Sequence, residues 1–126
     1  MTRKTVCLDF DGVIHDMPRF PRNLASIEGR PVEGALGFMR VMAREFDLCI
    51  FSSRSHDPEA VTAMQTWLRE AAMAEWGTVP RWMNDIGWPT TKPMANVFID
   101  DRAMTFTGIW PRLHEIANFE PWNRKK

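Results

Sequence analysis

The chain has 126 residues, 16 Lys+Arg against 16 Asp+Glu, and 44% hydrophobic residues. That length reads as one domain, residues 1–126, able to bury a core without staples, and the composition excludes disordered, collagen-like and disulfide-scaffold classes. Zero net charge removes any global reason to bind nucleic acid or membrane, although a local basic patch is still compatible with it.

Cys7 and Cys49 sit within apolar stretches and read as small buried side chains in a reducing compartment. No apolar run approaches the roughly 18 residues that a membrane span needs. The opening MTRKTVCLDF has no long apolar stretch of the signal-peptide kind, so the expectation is a soluble cytoplasmic domain without a membrane partner.

Thr5 to Phe10 is a short, nearly continuous apolar run stopped by Asp11-Gly12, the pattern of a strand covered on both faces. Residues 16–32 hold three prolines and a glycine and read as a loop. Leu36, Met39, Met42 or Ala43, and Phe46 then recur at helical spacing. Leu48 to Phe51 is a second buried strand, ended by Ser52-Ser53. Asp57 before Pro58 is a helix start, Val61, Met64, Leu68 and Ala71 mark the inner face, and Gly77 is the stop. Residues 81–87 predict a third strand, and Asn96 to Ile99 a fourth, ended by Asp100-Asp101. A last helix from about Pro111 is expected to bury Leu113, Ile116 and Ala117. Strands alternating with helices predict an α/β fold, a parallel sheet covered by helices on both faces.

Position carries the functional information. Asp9 and Asp11 end the first strand, Ser52 the second, and Asp100 and Asp101 the fourth. Ligands of open α/β sheets bind just outside the carboxyl ends of strands, so these groups converge. Four carboxylates that close repel one another unless a cation lies between them, and oxygen ligands select a hard ion, Mg²⁺ first. Lys92, in the turn TTKP, can pair with the carboxylates and with an anionic substrate oxygen. Metal, lysine and hydroxyl around one anion form a clamp suited to phosphoryl transfer. One carboxylate of the D-x-D pair would attack phosphorus while the other moves the proton.

Taken singly, these residues have blander readings. Asp-Gly is common at turns, Asp100-Asp101 can be a solvated strand end, Ser52 and Ser53 turn hydroxyls, and Lys92 a surface lysine. The joint order is what outweighs them. His15, His56 and His114 lack metal-ligand spacing and read as structural or exposed. The six Trp and nine Met are read as core or surface fillers, and Arg124-Lys125-Lys126 as a solvated tail.

The stretches VCLDFDGVIH (6–15), CIFSSRS (49–55), TTKP (90–93) and VFIDDRA (97–103) resemble, in order and across nearly the whole chain, the four signatures of the haloacid dehalogenase (HAD) superfamily. The resemblance implies a three-layer α/β/α sandwich with a parallel, Rossmann-like sheet and the activity of a Mg²⁺-dependent phosphatase working through an aspartyl-phosphate. It makes Asp9 the nucleophile and Asp11 the general acid/base. Ser52 would hold the transferring phosphoryl group and Lys92 neutralise the site, with Gly12, Ser53 and Arg54 as further substrate contacts. Mg²⁺ would be held by Asp9, the backbone carbonyl of Asp11, and one or both of Asp100 and Asp101. An acid two residues after the nucleophile points to phosphatases rather than dehalogenases.

The family's cap domains have no room here, in residues 13–34 or in residues 54–91. Such an open site suits a large substrate, or a homo-oligomer in which a neighbouring subunit supplies the lid. S-x-R at Ser52 to Arg54 and D-D-R at Asp100 to Arg102 are similar to the phosphatase half of phage polynucleotide kinase. That raises a nucleic-acid end phosphate as an alternative substrate, with Arg19, Arg22 and Arg30 as a local patch, behind an unspecified phosphomonoester. A response-regulator receiver is disfavoured because no acceptor Asp stands at the middle strand end. A catalytically silent HAD-fold binding protein is disfavoured because every candidate group is present.

Overall fold

Why Thr5, Asp47 and Val97 begin three neighbouring strands is written in the apolar runs they open. The computed structural model describes residues 3–124, in the order β1 (Thr5–Leu8), α1 (Ala35–Met42), β2 (Asp47–Ile50), α2 (Pro58–Trp76), a 3-10 turn (Arg81–Asp85), β3 (Val97–Ile99), α3 (Leu113–Ala117) and a closing 3-10 turn (Trp122–Arg124). The sheet is parallel, in the order β2-β1-β3, with Cys7 beside Cys49 and Phe98. It is an α/β fold with an open three-stranded sheet. Among the described residues, no helix is long and apolar enough to cross a membrane.

Val6 and Leu8 of β1, and Leu48 and Ile50 of β2, join one core cluster with Leu36 and Met39 of α1 and Met64, Leu68 and Ala72 of α2. Each such fully buried large apolar side chain contributes about 1.5–3 kcal/mol over its exposed state. Helix α2 is well punctuated. The Asp57 carboxylate accepts from the Glu59 N–H at 3.0 Å, Pro58 opens the helix, and Gly77 closes it in the left-handed region at φ 71°.

Residues 81–87 do not form the expected third strand. Met83 and Ile86 are both buried at a spacing of three, which suits a 3-10 turn and not the alternation of a strand. Only Gly87 reaches the sheet. It donates to the Leu48 carbonyl (3.0 Å) and accepts from Ile50 (2.9 Å), giving β2 a one-residue neighbour.

Coverage of the sheet by helices also fails at β3. Val97 and Phe98 point to opposite faces and are 50% and 42% exposed. Helix α3 forms but buries none of its residues, and Leu113 is 84% exposed. An apolar stripe says which face wants cover, not that cover exists.

The expected solvated tail is tied down as far as it is described. Trp122 Nε1 donates to the Gly12 carbonyl (2.7 Å), Asn123 Nδ2 to Asp16 (3.0 Å) and Arg124 Nη2 to Met17 (2.7 Å). Lys125 and Lys126 lie outside the described residues. These bonds hold the loop that follows β1, and with it the carboxylates described next.

Candidate functional site

Parallel pairing is what gathers the acids. The Asp9 N–H donates to the Ile99 carbonyl at 2.9 Å, so the residue after β1 lies beside the end of β3, where Asp100 and Asp101 follow. Carboxylate oxygens of Asp9, Asp100 and Asp101 all lie within 4.8 Å of one another. The three are held differently. Asp9 Oδ1 accepts from the Phe10 N–H (2.8 Å), and Asp100 Oδ1 accepts from the Arg102 N–H (2.7 Å). The Asp101 side chain is 2% exposed, and neither of its oxygens meets a hydrogen-bond donor. Its nearest cationic atom, Arg102 Nε, stands 4.0 Å away, beyond hydrogen-bond reach.

A buried carboxylate without donors is costly, and either a proton shared with a neighbouring carboxyl or a bound cation relieves it. Crowding leaves its mark on Asp9. Burial first, then the shared contact with Asp101 and the charge of Asp100, push its carboxyl up to about 8, against the pull of the Phe10 N–H. Three carboxylates offering only oxygen could hold a hard cation.

Gly12 lies directly beneath this cluster. Its φ is +82°, and a Cβ there would fall 2.1 Å from Asp101 Oδ2. The close approach of loop to carboxylate therefore requires glycine.

Asp11 belongs to a second, adjoining set. Arg54 grips it through two bonds, Nε to Oδ2 at 2.7 Å and Nη2 to Oδ1 at 3.0 Å, while His15 Nδ1 is 3.0 Å from Oδ1. Burial raises the Asp11 carboxyl, but hydrogen bonds from His15 and Arg54 outweigh it and hold it below the ordinary range. Arg54 is itself 1% exposed, and Nη1 donates to the Leu24 and Ser26 carbonyls at 2.8 and 2.9 Å. In this arrangement Arg54 positions Asp11, and most of its N–H groups are engaged within the chain. The other ring nitrogen of His15 meets the Glu28 carbonyl.

Sequence reasoning set His15 aside for lack of metal spacing. The available signal was its position four residues after Asp11, on a tight turn in which three N–H groups (Val13, Ile14 and His15) share the Phe10 carbonyl.

Ser52 is buried at the end of β2. Its hydroxyl accepts from the Arg54 N–H at 3.2 Å, while its own N–H donates to Ser55 Oγ at 2.9 Å; Ser53 beside it is exposed. Lys92 lines a cleft of about 290 Å³ together with Asp9, Asp100, Phe51, Phe98 and Cys7. Its Nζ stands 4.8 Å over the Phe98 ring and makes no ion pair with Asp9, Asp11, Asp100 or Asp101. Cys7, buried at that cleft, has its thiol pushed up to about 12 by burial and by Cys49, and both cysteines are buried and free of disulfides.

The structure thus draws Asp9, Asp100, Asp101, Gly12 and Lys92 to one sheet end, with Asp11, Arg54 and His15 against it. No protein-family model, curated protein or solved structure gives a significant match to the chain.

Proposed function

We propose that the chain is a Mg²⁺-dependent phosphomonoester hydrolase of the haloacid dehalogenase type, working through an aspartyl-phosphate on Asp9. The observation that carries this reading is the buried, donor-free carboxylate of Asp101 within 4.8 Å of Asp9 and Asp100 at the carboxyl end of the sheet. The strand order supports the same family. The chain steps from β1 out to β2 and then back past β1 to β3. With right-handed crossovers, that reversal puts α1 and α2 on opposite faces and the switch point beside Asp9. Residues 13–34 contain no helix or strand and residues 54–91 hold only α2 and a 3-10 turn, so neither segment supplies a cap domain.

Asp9, Asp100 and Asp101 would hold the ion. Bound there, Mg²⁺ would neutralise the carboxylates and draw a phosphate oxygen toward Asp9. An Asp9 oxygen attacks phosphorus, the ester P–O bond breaks, and the leaving oxygen takes a proton from solvent water. Water then attacks the phosphorus of the acyl phosphate, its proton passes to Asp11, and inorganic phosphate leaves with Asp9 restored. Paired with Arg54, Asp11 is ionised and suited to the second step. Lys92, which lines the cleft, would supply a cation for a phosphate oxygen. Hydrolysis of a broad phosphomonoester panel with Mg²⁺ and with EDTA tests the reading. Turnover should require the ion and vanish in Asp9→Asn. An inactive panel, or unchanged turnover in that variant, removes the proposal.

One observation favours a polyanionic substrate such as a nucleic-acid end. Phe20 is 68% exposed, with the guanidinium carbons of Arg102 and Arg124 at 5.8 and 5.4 Å from its ring. Arg19 and Arg22 line a neighbouring cleft of about 200 Å³. Aromatic faces flanked by arginine stack on bases. A 3′-phosphorylated oligonucleotide should then show a lower KM than a small ester, and Phe20→Ala should raise the oligonucleotide KM alone.

A further inference from the structure

The segment after the acidic cluster, residues 103–119, is an arm that buries little of its apolar surface. Ile109 and Trp110 are each 79% exposed, Leu113 84%, Phe106 56% and Ile116 53%. Its only full charges are Arg112 and Glu115, of opposite sign, so nothing in it selects an anionic or cationic partner. The rest of the same chain holds what the arm lacks. An apolar groove of about 370 Å³ runs beside α1, lined by Val13, Phe38, Met39 and Ile99, and Phe38 is left 45% exposed. Among the described residues the outer edge of β3, next to it, pairs with no other strand and carries no proline or charge to protect it.

Total surface points the same way. The chain exposes 8855 Å². A compact monomer of 14.6 kDa should expose about 6,900 Å². The excess, about 1,900 Å², is more than twice the roughly 800 Å² that each partner buries in a stable complex.

We infer that two copies of this chain form a two-fold dimer in which the arm of each lies in the apolar groove beside α1 of the other. A bare apolar arm and an empty apolar groove on one chain are self-complementary across a two-fold axis, and exchange of an identical element is a low-cost route to a dimer. The dimer rests on these surfaces alone and stands or falls apart from the chemistry proposed for the acids.

Sedimentation velocity over a dilution series tests it. The wild-type chain should run at twice 14.6 kDa and dissociate only on dilution. The arm variant Trp110→Glu/Leu113→Asp and the groove variant Phe38→Asp should each run as monomers. Mixing the two leaves one intact arm and one intact groove per pair, so part of the dimer should return. Amide exchange in residues 103–119 and 97–99 of the unaltered chain should slow as concentration rises, which covers a variant that fails to fold. A wild-type monomer at every concentration, or a dimer indifferent to the arm variant, overturns the proposal. Failure of the mixture to recover overturns the exchange. A monomer that co-sediments with phosphatidylcholine vesicles assigns the arm to a membrane instead.

Discussion

Asp11 and Asp9 stand two positions apart and are driven in opposite directions. Asp9 is crowded by like charges and desolvated, whereas Asp11 is gripped by Arg54 and His15. A carboxylate held ionised serves well as a base and poorly as an acid. Its loss should therefore fall on the hydrolysis of phosphorylated Asp9, whatever the leaving group. Asp11→Asn should lower kcat by about 100-fold or more. On an aryl phosphate, whose first step is fast, the variant should accumulate phosphorylated Asp9 and show a burst followed by slow turnover. Rapid-quench measurement of the burst checks this, and slow turnover without a burst would remove Asp11 from that step.

The residue pairing is set by an element. Arg54 sits in the turn between β2 and α2, where Ser55 donates its N–H to the Ser52 carbonyl (2.9 Å) and Asp57 to the Arg54 carbonyl (3.1 Å) before capping the helix. Asp57→Ala should cost about 1 kcal/mol in stability, read as a lower urea midpoint with an unchanged slope. Because the same turn presents Arg54, turnover should fall in parallel with the loosened helix start.

Such local signals explain how much could be read beforehand. β1, β2 and α2 each carry their own evidence, apolar runs with clear stops or a cap, proline and closing glycine, and all three form where expected. The cluster of Asp9, Asp100 and Asp101 followed from strand ends alone. The third strand failed because Met83 and Ile86 are buried at a spacing no strand uses. The grip on Asp11 was invisible because it depends on carbonyls of Leu24 and Ser26 in a loop without periodicity, folded back on Arg54. Helix α3 was legible as a helix, but its burial was not, since an apolar stripe does not identify what covers it.

At the scale of the whole molecule, the opposed carboxyls give stability a pH dependence with a definite shape. The Asp9 carboxyl is raised from 3.8 to about 8 in the fold. Between those values the folded chain binds more protons than the unfolded one, so stability without metal falls as pH rises through that window. Asp11 acts with the opposite sign. Its carboxyl is depressed, so its contribution is present above 3.8 and is lost as pH falls below the ordinary value. The metal-free protein should therefore be most stable at mildly acidic pH, and its melting temperature should decline toward pH 8. Asp9→Asn removes the raised group and should flatten that decline, leaving the variant more stable than wild type near pH 8. Mg²⁺ should do the same for the wild type by binding the ionised carboxylates, and more strongly as pH rises. Melting curves between pH 4 and 9, with Mg²⁺ and with EDTA, separate the cases. A wild-type profile that rises steadily to pH 8 without metal would mean that the three carboxylates are not crowded in solution.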